Sequence, residues 1–116
     1  MRLGFNFYFG HNRAGDVYTL ESLGKQYGFD VQIVSPVEVV LDDQLITPVS
    51  SSMVRWLLGH GRVSDAAKCL GRAYSLTGHV VHGEQRGKKI GVPTANLDPA
   101  ALQGRIIPAD GVYAGT

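Results

Sequence analysis

The chain has 116 residues, 44% of them hydrophobic, and a formal net charge of +1. That length suits one ordinary domain or parts of two, and a near-neutral balance speaks against a dedicated nucleic-acid or membrane-surface binder, which would carry a basic excess. The single cysteine, Cys69, has no partner within the chain for a disulfide, so a reducing cytoplasm is the expected setting.

In chain order, Phe5, Phe7 and Phe9 alternate between glycines, as at a strand end running into a loop. The polar stretch His11 to Asp16 follows, with Asp16 placed as an N-cap. Val17, Leu20, Leu23 and Tyr27 recur at helical spacing, and Gly28 is a C-terminal stop. Phe29 to Val34 alternates like a strand that Pro36 ends. Glu38 to Thr47 reads as a short hairpin turning at Asp42-Asp43. A helix is predicted from Ser50, with Val54, Leu57 and Leu58 on its apolar face and Trp56 as packing. A second, Val63 to Leu70, has Ser64 as its expected cap and Cys69 as a small buried residue.

Near Gly71 the character changes. Glycine, threonine and valine dominate, Leu76–His82 and Val92–Leu97 look like strands, and Gly83 to Gly91 is a glycine- and lysine-rich loop. The expected boundary therefore divides 1–71 from 72–116. Asp110 to Thr116 reads as the start of a strand with nothing after it, the mark of a piece of a longer protein. No apolar run is long enough to cross a membrane as a helix.

Two stretches carry chemistry. Val49-Ser50-Ser51-Ser52-Met53-Val54-Arg55 opens a helix, where free N–H groups and the positive end of the helix dipole favour an anion. Ser51 and Ser52 add hydroxyls. Arg55, three residues past Ser52, can bring its guanidinium back to the same end and grip phosphate through two hydrogen bonds. The plainer alternative is that Ser50 caps and Arg55 is merely solvated. The second stretch runs from Gly83 through Arg86, Gly87, Lys88, Lys89 and Gly91 to Pro93-Thr94-Ala95-Asn96. Its glycines let backbone approach a phosphate chain. Thr94 and Asn96, two apart on a strand, present hard oxygens to one side, a pair suited to Mg²⁺. The plainer alternative here is a solvated hairpin loop. His11, His60, His79 and His82 lack the spacing of a zinc site.

Together, Gly4–Gly10, Ala14–Asp16, Tyr27–Phe29, Val49–Arg55, Leu70–Arg72, Gly78–Gly83, Gly91–Leu97 and Pro108–Tyr113 resemble, in order, the prokaryotic bifunctional riboflavin kinase/FMN adenylyltransferase (FAD synthetase) family. The likeness is to an internal stretch of such an enzyme. It implies an α/β fold: the C-terminal part of a Rossmann-like nucleotidyltransferase domain, then the first strands of a riboflavin-kinase β-barrel. It implies FAD biosynthesis, with riboflavin phosphorylated to FMN and FMN adenylylated to FAD, ATP and Mg²⁺ serving both steps. Asn6, Ser51, Ser52 and Arg55 match flavin- and ATP-binding positions of the adenylyltransferase. Gly83, Gly87, Lys89, Gly91 and Pro93 match the kinase's ATP loop, and Thr94 and Asn96 its metal–ATP pair.

There are departures. Ser52 stands where threonine is usual, and Lys88-Lys89 replaces a pair that commonly contains arginine. The family's His-x-Gly-His motif does not occur in the chain, His60-Gly61 lacking the partner, and the kinase's glutamate base belongs to a later part of the barrel. The chain is therefore expected to hold no complete catalytic set and to turn over neither substrate. Its partners are expected to be small molecules, not nucleic acid or membrane, with self-association through unpaired barrel edges. The rival reading is a non-catalytic flavin- or nucleotide-binding module.

Overall fold

A computed structural model describes residues 1–83 and 94–116. It is an α/β chain with two compact units, Met1–Glu38 and Val39–Thr116.

The first unit is a β-α-β piece. Strands β1 (Arg2–Gly4) and β2 (Gln32–Val34) pair in parallel, Leu3 opposite Ile33. Parallel neighbours need a crossover, and helix α1 (Val17–Tyr27) supplies it. Local chemistry fixes both ends of α1. The Asp16 carboxylate accepts the Thr19 N–H at 2.9 Å, and the Thr19 hydroxyl accepts the Asp16 N–H at 3.3 Å, a reciprocal cap. At the other end Gly28 takes a left-handed φ of 78° and donates to the Gly24 carbonyl. The buried stripe is narrow, with Val17 and Gly24 its fully buried members, so Tyr27 is exposed although its spacing placed it with them. Strand β1 stops at Gly4, where the Phe7 N–H turns back onto the Gly4 carbonyl, and Phe7 stacks on Phe9 within the loop.

The second unit is built on a helical pair. Strands β3 (Glu38–Val40) and β4 (Ile46–Pro48) form the expected hairpin. Its turn closes through Leu41 N–H to Leu45 O and Gln44 N–H to Leu41 O, Gln44 being left-handed. Helix α2 (Ser51–Gly59) starts at Ser50, whose hydroxyl accepts the Met53 N–H at 3.1 Å. Leu57 and Leu58 are wholly buried and join Leu41, Val54 and Ala66 in the core. Each fully buried leucine stabilises the unit by about 1.5–3 kcal/mol relative to exposure. Helix α3 (Val63–Leu70) is capped at Arg62, not at Ser64. Gly61, at φ 71°, turns the chain into the helix before Ser64 is reached, which leaves that serine inside the first turn. Cys69 is half-buried at the core's edge, and burial pushes its thiol pKa up.

Past residue 71 the sheet is slight. Strands β5 (Val80–Val81) and β6 (Asn96–Leu97) pair antiparallel, Val81 opposite Asn96. The longer strand expected over Leu76–His82 is confined to those two residues. Of the strand expected over Val92–Leu97, residues 92 and 93 lie outside the described residues. Gly111–Tyr113 is not a strand. Val112 is fully exposed, and the Tyr113 hydroxyl instead donates to the Ala109 carbonyl. Strands this short have no wider sheet to join among the described residues. The stretch from 72 sits in the same compact unit as α2 and α3: the Ala109 N–H donates to Leu58 O at 3.0 Å, and Tyr74 and Ile106 pack on the core.

Candidate functional site

At the tip of α2 the capping serine is occupied with Met53, whereas Ser51 and Ser52 are exposed. Arg55 folds back along the helix, and its Nη2 donates to Ser52 Oγ at 3.4 Å. The i, i+3 spacing thus puts guanidinium, hydroxyls and first-turn N–H groups at one end of one helix. Beside this tip lies a groove of about 580 Å³, with Leu41, Leu45 and Ile46 from the hairpin and Ser52, Met53 and Trp56 from α2. Trp56 is 50% exposed, not a packed core residue. The buried stripe of α2 runs through 54, 57 and 58, so position 56 turns outward, where its ring stacks on His60 at 4.1 Å.

Asn6 belongs to the other compact unit. It lies in the turn after β1, with Oδ1 folded over Gly4, and is exposed.

The second constellation surrounds the β5–β6 pair. Gly83, Thr94 and Asn96 line one cleft of about 240 Å³ together with His82. Only Asn96 is within a strand; Thr94 stands two residues ahead of it, and both side chains are exposed. Gly87, Lys89, Gly91 and Pro93 lie outside the described residues.

An ion-pair cluster that the motif reading missed joins the hairpin turn to α3. Asp65, buried, accepts the Asp42 N–H at 2.7 Å through Oδ1 and the Arg62 Nε–H at 2.8 Å through Oδ2. Arg62 also reaches Asp43 at 2.9 Å, and Lys68 reaches Asp42 at 2.6 Å. The signal was present as Arg62, Asp65 and Lys68 at i, i+3 steps opposite a double-aspartate turn. The cluster holds the hairpin that walls the groove beside Ser52. The hydrogen bond from Lys68 holds the Asp42 carboxyl below its ordinary value of 3.8, and the Leu45 N–H, then Arg62, lowers Asp43. Asp42 in turn raises Lys68 above 10.5. Depressed carboxyl values stabilise the fold above their unfolded range, and that share is lost as pH falls through the folded values. The raised lysine contributes fully below its unfolded value and ceases only as pH rises through the folded one. Thermal melting should therefore be flat from pH 5 to 9 as far as these groups are concerned, and its midpoint should fall below about pH 4. A midpoint unchanged down to pH 2 would contradict the cluster.

Two family models match successive parts of the chain. Residues 1–51 match the family described as FAD synthetase, and residues 70–116 match that described as riboflavin kinase. More particularly, the chain is similar to a stretch of proteins named bifunctional riboflavin kinase/FMN adenylyltransferase. It is 36% identical over 112 residues to the protein of that name from Buchnera aphidicola subsp. Schizaphis graminum, an overlap of 97% of this chain and 34% of the relative. It is 34% identical over 114 residues to the one from Escherichia coli strain K12, which is 98% of this chain and 34% of the relative. The chain thus spans about a third of the length of these curated relatives. A solved structure named as a macrolide-efflux protein from Streptococcus pneumoniae is 39% identical, with a TM-score of 0.71 over 95% of this chain and 33% of that one. Among the described residues no helix is long and apolar enough to cross a membrane.

Proposed function

We propose that the chain serves FAD biosynthesis as part of a cytoplasmic enzyme that phosphorylates riboflavin to FMN and adenylylates FMN to FAD. The observation that carries this reading is colinearity: two different flavin-nucleotide families match successive parts of one short chain, in the order the bifunctional relatives have them. The motifs also choose between the flavin names and the efflux name among the similar proteins, because both constellations suit polyphosphate chemistry. In this reading β1–α1–β2 is a piece of a Rossmann-like nucleotidyltransferase. Strands β5 and β6 begin a riboflavin-kinase barrel, and the modules meet near residue 71, a reading supported by the start of the riboflavin kinase match at residue 70. The shared packing of 72–116 with α2 and α3 is then an interface of the two modules.

At the α2 tip, Ser51, Ser52 and Arg55 bind the phosphates of ATP, and the helix dipole adds to the pull on the anion. Asn6 serves the flavin. In the second module, Gly83 with Gly87, Lys89, Gly91 and Pro93 forms the ATP loop. Mg²⁺ fits the donor set of Thr94 and Asn96. A hydroxyl and a carboxamide offer hard oxygens, both are exposed to one cleft, and the Asn96 amide lies in the space that a Cβ on Gly83 would take. When bound, the ion offsets charge on the transferring phosphoryl group. This chain's own part is to hold and orient nucleotide. No His-x-Gly-His motif occurs among residues 1–116, and the resemblance assigns the kinase's glutamate base to a later part of the barrel, so in this reading the chain alone completes neither reaction. Exposed strand edges in the second module give it a route to self-association.

The test is calorimetric titration with ATP and FMN, with and without Mg²⁺, beside an assay for FMN and FAD. ATP binding that strengthens with Mg²⁺, without product, is the expected result. Sustained turnover would refute the incomplete-site reading, and indifference to ATP would refute the nucleotide reading.

A further inference from the structure

We infer that Gly83 is a positioning residue for Asn96, its missing side chain being what lets the asparagine amide lie across the strand pair into the cleft. This rests on the reading of Asn96 as a metal–ATP ligand given above. Val81 pairs with Asn96 across β5 and β6. Continuing that register puts residue 83 diagonal to Asn96 on the same face, within reach of a side chain. A Cβ built on Gly83 meets Asn96 Nδ2 well inside contact distance, Cγ at 2.8 Å and Oδ1 at 3.2 Å. The amide of Asn96 thus occupies the space that any other residue at 83 would fill.

The backbone is not the reason for this glycine. Gly10, Gly28, Gly61, Gly71 and Gly104 have positive φ, and Gly83 does not. Gly83 has no φ that an L side chain would resist, and the three nearest atoms a Cβ there would meet all belong to the end of the flexible Asn96 side chain. Gly83→Ala should therefore leave the fold intact and swing the Asn96 amide out of place. A glycine needed for its φ, or for direct approach of backbone to phosphate, would behave differently. In either case the loss would not depend on what stands at 96.

The experiment is a cycle of Gly83→Ala, Asn96→Ala and the double variant in the full chain, read by Mg²⁺-dependent ATP binding and by NMR. In the unligated wild type, NOEs should connect the Gly83 α-protons with the Asn96 side-chain amide protons. Gly83→Ala should shift that amide resonance, keep the urea midpoint, and raise the Mg²⁺ needed for half-maximal ATP binding about 10-fold, the scale of losing a group that orients a ligand. In the Asn96→Ala background the same change should cost nothing further. Missing NOEs, unaltered Mg²⁺ dependence in Gly83→Ala, or an equal penalty in both backgrounds would each overturn the inference. The underlying site reading fails separately, if Asn96→Ala alone leaves Mg²⁺-dependent binding as it was or the wild type shows none.

Discussion

Replacing Asp65 by alanine is expected to lower the unfolding free energy by about 3 kcal/mol, a large share of what a domain this size has. Asp65 is 1% exposed, and both its oxygens are used. Oδ1 takes the Asp42 N–H and Oδ2 the Arg62 guanidinium, whose Nη2 stands at 2.6 Å. Alanine would leave that backbone donor without its partner and a guanidinium beside an emptied site. The lower end of the usual range for breaking a buried pair is appropriate, because the Arg62 side chain is 27% exposed and keeps Asp43. Urea denaturation should show a reduced midpoint at constant slope. Asp65→Asn keeps an acceptor for the Asp42 N–H and should lose less. Lys68→Ala removes only an exposed pair and should lose least. Equal midpoints for Asp65→Ala and Lys68→Ala would show that burial does not set the energetics of this cluster.

The same residue marks where the sequence stops being legible. Asp16, Gly28 and Ser50 were readable as caps because their partners lie within four residues, and the apolar stripe of α2 was readable from spacing alone. Asp65 reaches Asp42 across 23 positions, and nothing local announces such a bond. Ser64 was the natural cap by residue type, but the left-handed turn at Gly61 brought the helix in too early for it. The strands beyond residue 72 were overdrawn for a related reason. Valine and threonine supply strand propensity, but a strand persists only where a neighbour pairs with it. Val80–Val81 found Asn96–Leu97, and Gly111–Tyr113 found no strand among the described residues. At the candidate site the local half was visible, since Ser52 and Arg55 are one helical turn apart. The diagonal approach of Gly83 to Asn96 depends on strand pairing and was not.

That local half leads to the second large effect, on ligand binding and not on stability. Arg55→Ala is expected to weaken binding of inorganic pyrophosphate, measured without Mg²⁺ to silence the other site, by about 10-fold or more. A hydrogen bond to a charged group contributes roughly 1.5–3 kcal/mol, and about 1.4 kcal/mol is tenfold in affinity. Two arginines stand close in sequence here, and only one is free for the task. Arg62 is held by Asp43 and Asp65, whereas among the described residues no carboxylate pairs with Arg55, whose one contact of note is a long 3.4 Å bond to Ser52. An incoming phosphate would displace only that weak bond, so little is given up on binding. Arg55→Lys keeps the charge and loses the planar fork, and should fall between wild type and alanine. The urea midpoint should not move in either variant, because the side chain is exposed. Raising the salt concentration should weaken wild-type binding and narrow the gap to Arg55→Ala, as expected of an exposed charge. If pyrophosphate bound Arg55→Ala as tightly as wild type, the serine-led helix tip would be an ordinary capped helix start, and the phosphate site would have to be sought on other residues.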